Sequence, residues 1–581
     1  MTRSSDNRSD CIGVWLPASA GRCVDGFDLT SAAFASCLLV SCAIAPLSAQ
    51  AQTANPGQID NEIRRQQEQI ERQTQPRKFD GNAVVAPSRE SQSQLRPGGP
   101  RFKLKDVTFN ESKFLTVEEL AAIKSKYVSR SVDFAQLQQL LADVNRLYEI
   151  KGVVTGVATL PPQSADSGVV KIKLTEGRLG RSSVDGLKQT SPDYVAQRVA
   201  MPAPGEVIDV PKISRDISWF NRTNDAQIKA LLQPGTSFGL TDLQLSVTEP
   251  AINTLQITGD NQGIKNTGRY QGSMFYRRHG MLGIDDRLTF YGVKAEGNLN
   301  GNVAYNIPVN TWGGRAAVSY TQGAIRIVNG VLQPLDVTGK SQVSSASLTQ
   351  PFYADPNWLA QASVAGSLGR SQTYFTGVGT TDDRSRKMTY GLSFGSFSNY
   401  HSVTFAPSVN DVHSHNINNI DRSFNVYNAT LNGYFRPLDL APAFQDYSIS
   451  FLASGQYTRE RLLPGDQLFQ IGGPTTVRGY PSNAVSGDSG YYANLELHRS
   501  LSRYIDGLDL FAFYDFGETY STFPPITNIG SLGAGMTWTP VSYLTLEATF
   551  SAPQIVVIAS QPKYEGYFRV SLRPLLMLPG T

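Results

Sequence analysis

Cysteine disappears from this sequence after residue 42. The four present are Cys11, Cys23, Cys37 and Cys42, in a chain of 581 residues. From Thr53 onward a disulfide or a Cys-based metal site is therefore excluded. Histidine is almost as scarce: His279, His401, His413, His415 and His498 are the full set. None of them lies in an H-E-x-x-H or G-x-S-x-G setting. Charge of one sign is also missing. At a net +3 the chain lacks the basic excess of a nucleic-acid binder, and no nucleic-acid partner is expected. Long apolar runs are absent too. The best, Ala32 to Leu47, is broken by Ser36, Ser41 and Pro46 and falls short of the roughly 18–20 residues a spanning helix needs. Preceded by Arg3, Arg8 and Arg22 and closed by Ala49-Gln50-Ala51, it reads as a signal peptide over residues 1–51. With no later spanning run, the remainder is expected to be soluble or a β-barrel.

What is present falls into zones. Residues 52–76 carry "IDNEIRRQQEQIERQ", with Ile59, Ile63 and Ile70 on one helical face and charges and glutamines elsewhere. So thin a stripe buries too little for an ordinary core, so this helix is expected to stay solvated or to plug a polar cavity. Residues 77–100, rich in Ser, Gln, Gly and Pro, read as a linker.

Residues 101–177 then spell β-α-α-β-β. "RFKLKDVTF" alternates as a strand, and Thr116 to Glu119 form a capping box for a helix reaching about Tyr127. Asp133 caps a second helix striped by Leu137, Leu140, Leu141, Val144, Leu147 and Tyr148. "VVTGVATL" and "GVVKIKLTEG" follow as strands. Residues 178–250 repeat the order, from "GRSSVDG" to "TDLQLSVTEP", with helices opened at Ser191-Pro192 and at Asp209. Each unit, at about 75 residues, is large enough for its own small core.

From residue 251 to 581 helical periodicity stops, and segments of about 10 residues alternate between apolar and polar. In "YYANLELHR", Tyr491, Ala493, Leu495 and Leu497 share one face, opposite Tyr492, Asn494, Glu496 and His498. "LTLEATF" and "YFRVSLRP" alternate likewise. Some 330 such residues suit an antiparallel transmembrane barrel of about 16 strands better than one sandwich. Among its strands stands a glycine-rich stretch, "GGPTTVRGY", Gly472 to Tyr480, within an expected long loop at about 471–490.

These zones, in this order, resemble the outer-membrane transporters of two-partner secretion (the ShlB/FhaC/HecB family, also called TpsB). The resemblance rests on Val477-Arg478-Gly479-Tyr480 and on Phe513, Asp515 and Gly517 of "FAFYDFG". It implies a plug helix, two periplasmic POTRA domains and a barrel whose sixth extracellular loop folds back inside. There Arg478 would pair with Asp515. Strand parity agrees independently, since Leu510, Ala512, Tyr514 and Phe516 would face lipid and leave Asp515 pointing inward. The implied function is secretion of a large unfolded exoprotein, adhesin- or haemolysin-like, bound at the POTRA domains of an outer-membrane protein. Outer-membrane lipid and the barrel-assembly machinery would be further partners, and neither cofactor nor catalysis is implied. The alternative within the superfamily is a barrel-assembly insertase, and a passive porin ranks third. One departure from the family is the tail "LLMLPGT" after Pro574, where such barrels usually end on an aromatic residue.

Two weaker signals remain. His413 and His415 share a strand face or a loop, without an identifiable third ligand for a metal. "TGKS", Thr338 to Ser341, resembles the end of a phosphate loop, but Pro334 stands where the upstream glycine belongs. It is expected to lie in an extracellular loop.

Overall fold

The computed structural model describes residues 56–74, 84–85, 100–164, 166–437, 444–558 and 561–574. The expected signal peptide, most of the linker and the tail beyond Pro574 lie outside the described residues. Helix α1, Pro56–Thr74, opens with proline in its first turn, where a missing N–H costs nothing. A two-residue strand, β1 (Val84–Val85), follows.

The next unit contains β2 (Phe102–Lys103), β3 (Asp106–Phe109), α2 (Val117–Lys124), β4 (Ser131–Val132), α3 (Phe134–Ile150), β5 (Gly156–Thr159) and β6 (Val169–Glu176). The expected first strand is split between β2 and β3. Its intervening amides, Leu104 N and Lys105 N, bond instead to the carbonyls of Arg130 and Gly168. Helix α2 ends before Tyr127, because Lys126 and Tyr127 donate to carbonyls three residues back, closing tighter turns. Capping boxes start both helices, at Thr116 with Glu119 and at Asp133 with Gln136. The α3 stripe packs on β3, β5 and β6 to make a closed small core.

The following unit repeats the order: β7 (Arg178–Asp185), α4 (Pro192–Ala196), α5 (Val210–Thr223), β8 (Gln227–Pro234) and β9 (Leu240–Thr248). Its sheet runs β1-β8-β9-β7. The outermost strand comes from before the first unit: Val84 and Val85 pair in parallel with Ala230 and Leu231. Two residues carry no periodicity, so this pairing left no trace in the sequence pattern.

Sixteen strands then close a barrel in the order β10 to β20, then β23 to β27. They are β10 (Asn253–Asp260), β11 (Gln271–His279), β12 (Arg287–Ala295), β13 (Asn298–Pro308), β14 (Arg315–Arg326), β15 (Thr338–Ala354), β16 (Trp358–Phe375), β17 (Val378–Phe397), β18 (His401–His415), β19 (Asp421–Phe435), β20 (Tyr447–Tyr457), β23 (Ser489–Ser500), β24 (Leu508–Tyr520), β25 (Ile526–Val541), β26 (Leu544–Pro553) and β27 (Glu565–Leu572). All neighbours are antiparallel, and the seam between β10 and β27 is short, pairing Ile257–Asp260 with Leu572–Arg569. Closure leaves no unpaired edge, which a bilayer would not tolerate. Leu495, Leu497, Leu510 and Phe568 point outward, while Tyr492, Asp515, Tyr567 and Arg569 are buried inside.

The second α/β unit is bonded to the periplasmic turns of the barrel. Asp285 accepts the amides of Asp225 and Ala226, and Arg198 donates to the carbonyl of Asn310 at 2.8 Å. Glu249, just before the barrel, accepts the amides of Lys188, Gln189 and Thr190. Burial alone would raise its carboxyl, but these three donors hold it below the ordinary value.

Candidate functional site in the barrel lumen

Among the described residues, two guests share the lumen. The first is the loop between β20 and β23, which enters as a short ribbon, β21 (Phe469–Ile471) paired with β22 (Val485–Gly487). Its tip turns on Gly472 and Gly473, at φ of 104° and 99°, values that side chains avoid. Gly479, at φ 90°, lies so close to the wall that an added Cβ would meet Pro553 at 3.0 Å.

Between those glycines Arg478 makes three bonds to one carboxylate. Its amide and Nε donate to Asp515 Oδ2 at 3.0 and 2.7 Å, and Nη2 donates to Oδ1 at 2.7 Å. This is the two-pronged fit of guanidinium to carboxylate. Asp515 is wholly buried, so neither charge is screened by bulk water. The ring of Phe513 lies 3.5 Å beneath the guanidinium carbon, adding a cation–π contact. Gly517 leaves room for Ile471, whose Cδ1 would be 3.1 Å from a Cβ there. Thus Phe513, Asp515 and Gly517, on the inward face of β24, each touch the loop in a different way.

Val477 and Tyr480 are buried on either side, in a cluster with Phe469, Ile471, Tyr492 and Ile529. The Tyr480 hydroxyl lies 2.9 Å from the carbonyls of both Gly530 and Ile555, and Gly479 N donates to the Tyr567 hydroxyl at 3.0 Å. Sequence reasoning singled out neither Tyr567 nor a second acceptor for Arg478. That acceptor is Glu496, whose Oε1 is 2.5 Å from Nη1. Its position on the inward face of "YYANLELHR" was readable, but its distance to the loop was not.

The second guest is α1. Of the two expected placements, solvated or in a polar cavity, the helix takes the second, and its isoleucine stripe also docks on the wall. Ile59, Ile63 and Ile70 pack on Phe275, Tyr291, Val293 and Ile325, an apolar patch on the inner wall. Around that patch the contacts are polar. Gln271 donates to Gln66 at 3.1 Å, Gln67 to Asn302 at 3.1 Å, and Asn300 to Asp60 at 2.6 Å. Glu62, wholly buried, accepts from Thr475 Oγ1 at 2.9 Å, and Arg65 donates to Asn483 at 3.2 Å. The two guests therefore touch each other. Beside α1 a cavity of about 940 Å³ remains, lined on the helix by Arg64, Gln69 and Arg72 and on the wall by Asn410, Asn428 and Asn432.

The weaker signals resolve simply. "TGKS" begins strand β15 rather than lying in a loop. His413 and His415 are both in β18, bonded to Ser423 and Asp421. Two G-x-S-x-G strings occur, at 235–239 and 391–395. The first is the turn between β8 and β9 and the second lies within β17, not on the strand-to-helix elbow of a hydrolase.

Comparison with known proteins places this architecture. Residues 239–538 match the family model described as haemolysin secretion/activation protein ShlB/FhaC/HecB, and residues 102–177 match a POTRA domain of ShlB type. The chain is 26% identical over 483 residues to the outer membrane transporter CdiB of Dickeya dadantii, covering 78% of this chain and 82% of that one. Over 412 residues it is 23% identical to the hemolysin transporter protein ShlB of Serratia marcescens, covering 67% and 70%. The solved structure of CdiB from Escherichia coli superposes with a TM-score of 0.66 at 18% identity, over 89% of this chain and 99% of that one. With a POTRA domain, a closed barrel of sixteen strands and a family match over more than half its length, the chain belongs to the ShlB/FhaC/HecB haemolysin secretion/activation family of outer-membrane transporters.

Proposed function

We propose that this protein is the outer-membrane pore of a two-partner secretion system, binding a large unfolded exoprotein in the periplasm and passing it through the barrel. The observation that carries this reading is a lumen filled by two separately held guests. Loop 6 is pinned to the wall through Arg478 and Asp515. Helix α1 rests on one apolar patch and also borders a cavity lined by charged and polar side chains. Removing α1 would widen an aqueous path while the loop stayed in place. The family match and the presence of two β-α-α-β-β units favour secretion over barrel assembly, the superfamily alternative.

In this reading the cargo docks on the POTRA units by strand addition, in which backbone bonding supplies affinity and neighbouring pockets supply specificity. The β8 edge is filled by an extended segment of this same chain, Val84–Val85, a pairing of the kind an added strand makes. Folding of the exoprotein outside the cell would bias movement outward, in place of a nucleotide. Val477, Arg478, Gly479 and Tyr480, with Phe513, Asp515 and Gly517, anchor the loop and perform no chemistry.

Co-expression with a candidate exoprotein tests the proposal through the amount released into the medium. Deleting Phe102–Glu176 should leave the barrel inserted and the cargo in the periplasm. Normal release by that truncation would reduce the first unit to a spacer.

A further inference from the structure

Behind Arg478 the wall carries charges that the pairing with Asp515 does not use. Glu496 gives one oxygen to Arg478, and its other oxygen, Oε2, faces His498 Nε2 at 3.0 Å. On the far side of the ring, Nδ1 lies 2.6 Å from Asp509 Oδ2. Both ring nitrogens therefore meet carboxylate oxygens, which only accept when ionised. A neutral imidazole has one N–H and would aim a lone pair at one of these carboxylates. Imidazolium donates to both.

The surroundings hold the ring in that pose. His498 stacks on Phe511 with centroids 5.2 Å apart. Ser450 Oγ lies 3.0 Å from Glu496 Oε2 and 3.2 Å from His498 Nε2. So β20 presents Ser450 to the ring, β24 presents Asp509 and Phe511, and β23 itself presents Glu496, with Arg478 of loop 6 beyond it. Without the imidazolium, Glu496 Oε2 would lose its charged donor and keep only the Ser450 hydroxyl, beside the bond of Oε1 to the Arg478 guanidinium. Glu496 would then be free to turn away from it.

We propose that His498 is a positioning residue for the loop-6 anchor: as an imidazolium bridging Asp509 and Glu496, it keeps Glu496 aimed at Arg478. The proposal rests on the reading that Arg478 anchors loop 6. The anchor is thus a chain of five groups, Asp515–Arg478–Glu496–His498–Asp509, crossing from the loop to the periplasmic end of the wall.

Two measurements test it. The first is ¹⁵N spectroscopy of the histidine rings in the full chain, in lipid nanodiscs at neutral pH. Only five histidines are present, and replacing the other four singly assigns His498 even where His498→Gln fails to insert. One ring with both nitrogens protonated is expected at His498, converting to a neutral ring in Glu496→Gln. A neutral His498 in the unaltered protein would overturn the proposal. The second measurement is exoprotein release. His498→Gln should lower it roughly tenfold, the effect expected from losing a charged hydrogen bond. His498→Lys, which keeps the charge, should restore part of it. Release by His498→Gln at the unaltered level would also overturn the proposal. If Arg478→Ala instead secretes normally, the anchoring role of loop 6 fails, while the ring spectrum still reports the charge on His498.

Discussion

Loop 6 and α1 occupy the same lumen and are held in opposite ways. The loop tip depends on direction: a guanidinium fork on a buried carboxylate, and Tyr480 between two carbonyls. Such contacts are nearly all-or-none, because a partial displacement strands a charge away from water. Helix α1 depends on area. Three isoleucines cover one patch, each contributing about 1.5–3 kcal/mol when fully buried, and the polar contacts around them include one buried carboxylate, Glu62, held by Thr475 and by Arg65 of the same helix. Area can be surrendered in steps. On this difference the proposed pore keeps the loop as its fixed guest and the helix as its removable one.

The largest effects should come from breaking the fixed guest. Arg478→Ala or Asp515→Ala leaves its partner buried and unpaired, at a cost of about 3–5 kcal/mol. Exoprotein release should fall more than about a hundredfold, with the barrel still in the outer membrane. Arg478→Lys should recover only part, since an ammonium cannot make the fork. Because the two act as one unit, the double variant should be little worse than either single variant. Simple addition of the two losses would refute the pairing.

Next in size are changes to the removable guest. Ile59→Ala and Ile63→Ala each take apolar contact from the patch, at about 2–5 kcal/mol per buried site. In planar bilayers both should increase the time spent at high conductance, and deletion of 56–74 should make it permanent. Unchanged conductance would mean that α1 does not limit the pore.

A smaller effect probes where the guests meet. Thr475→Val removes the hydroxyl that bonds Glu62, a loss of about 1–3 kcal/mol with a buried carboxylate left short of a donor. It should raise open-channel time modestly while leaving the Arg478 pair intact. Equal damage to both guests would show that they are one unit.

The smallest effect lies outside the lumen and serves as a control. Glu249 titrates below the ordinary carboxylate value because three amides hold its charged form. Its stabilisation is therefore complete above the unfolded-state value and is lost as pH falls through the lowered one. The protection of the Lys188, Gln189 and Thr190 amides, taken relative to their intrinsic exchange rates, should fall in acid. In Glu249→Gln that protection should be lower at neutral pH and lose its acid dependence.

The sequence exposed these regions unequally. The fork between Arg478 and Asp515 was legible because a motif supplied the loop and strand parity supplied the inward face. Glu496 and His498 were placed on the correct face, yet alternation says nothing of how far across the lumen a loop reaches. The seat of α1 was hidden for a related reason. Phe275, Tyr291 and Val293 occupy inward positions of β11 and β12, and an inward aromatic looks the same whether it meets water or a helix. The interruption at Leu104 and Lys105 arises from carbonyls at Arg130 and Gly168, far along the chain. Local pattern cannot show such a bond.

The central claim, that α1 must leave while loop 6 need not, can be tested by tethering each guest in turn. From Thr53 onward the chain has no cysteine, so paired cysteines can be bridged by a short thiol reagent with a reducible spacer. Gln66 with Gln271 ties the helix to the wall, and Thr476 with Asn494 ties the loop, both pairs being hydrogen-bonded neighbours. Exoprotein release into the medium is then measured before and after reduction. The account predicts that the helix tether blocks release until it is reduced and that the loop tether leaves release unchanged. Block by the loop tether, with free passage past a tethered helix, would contradict it.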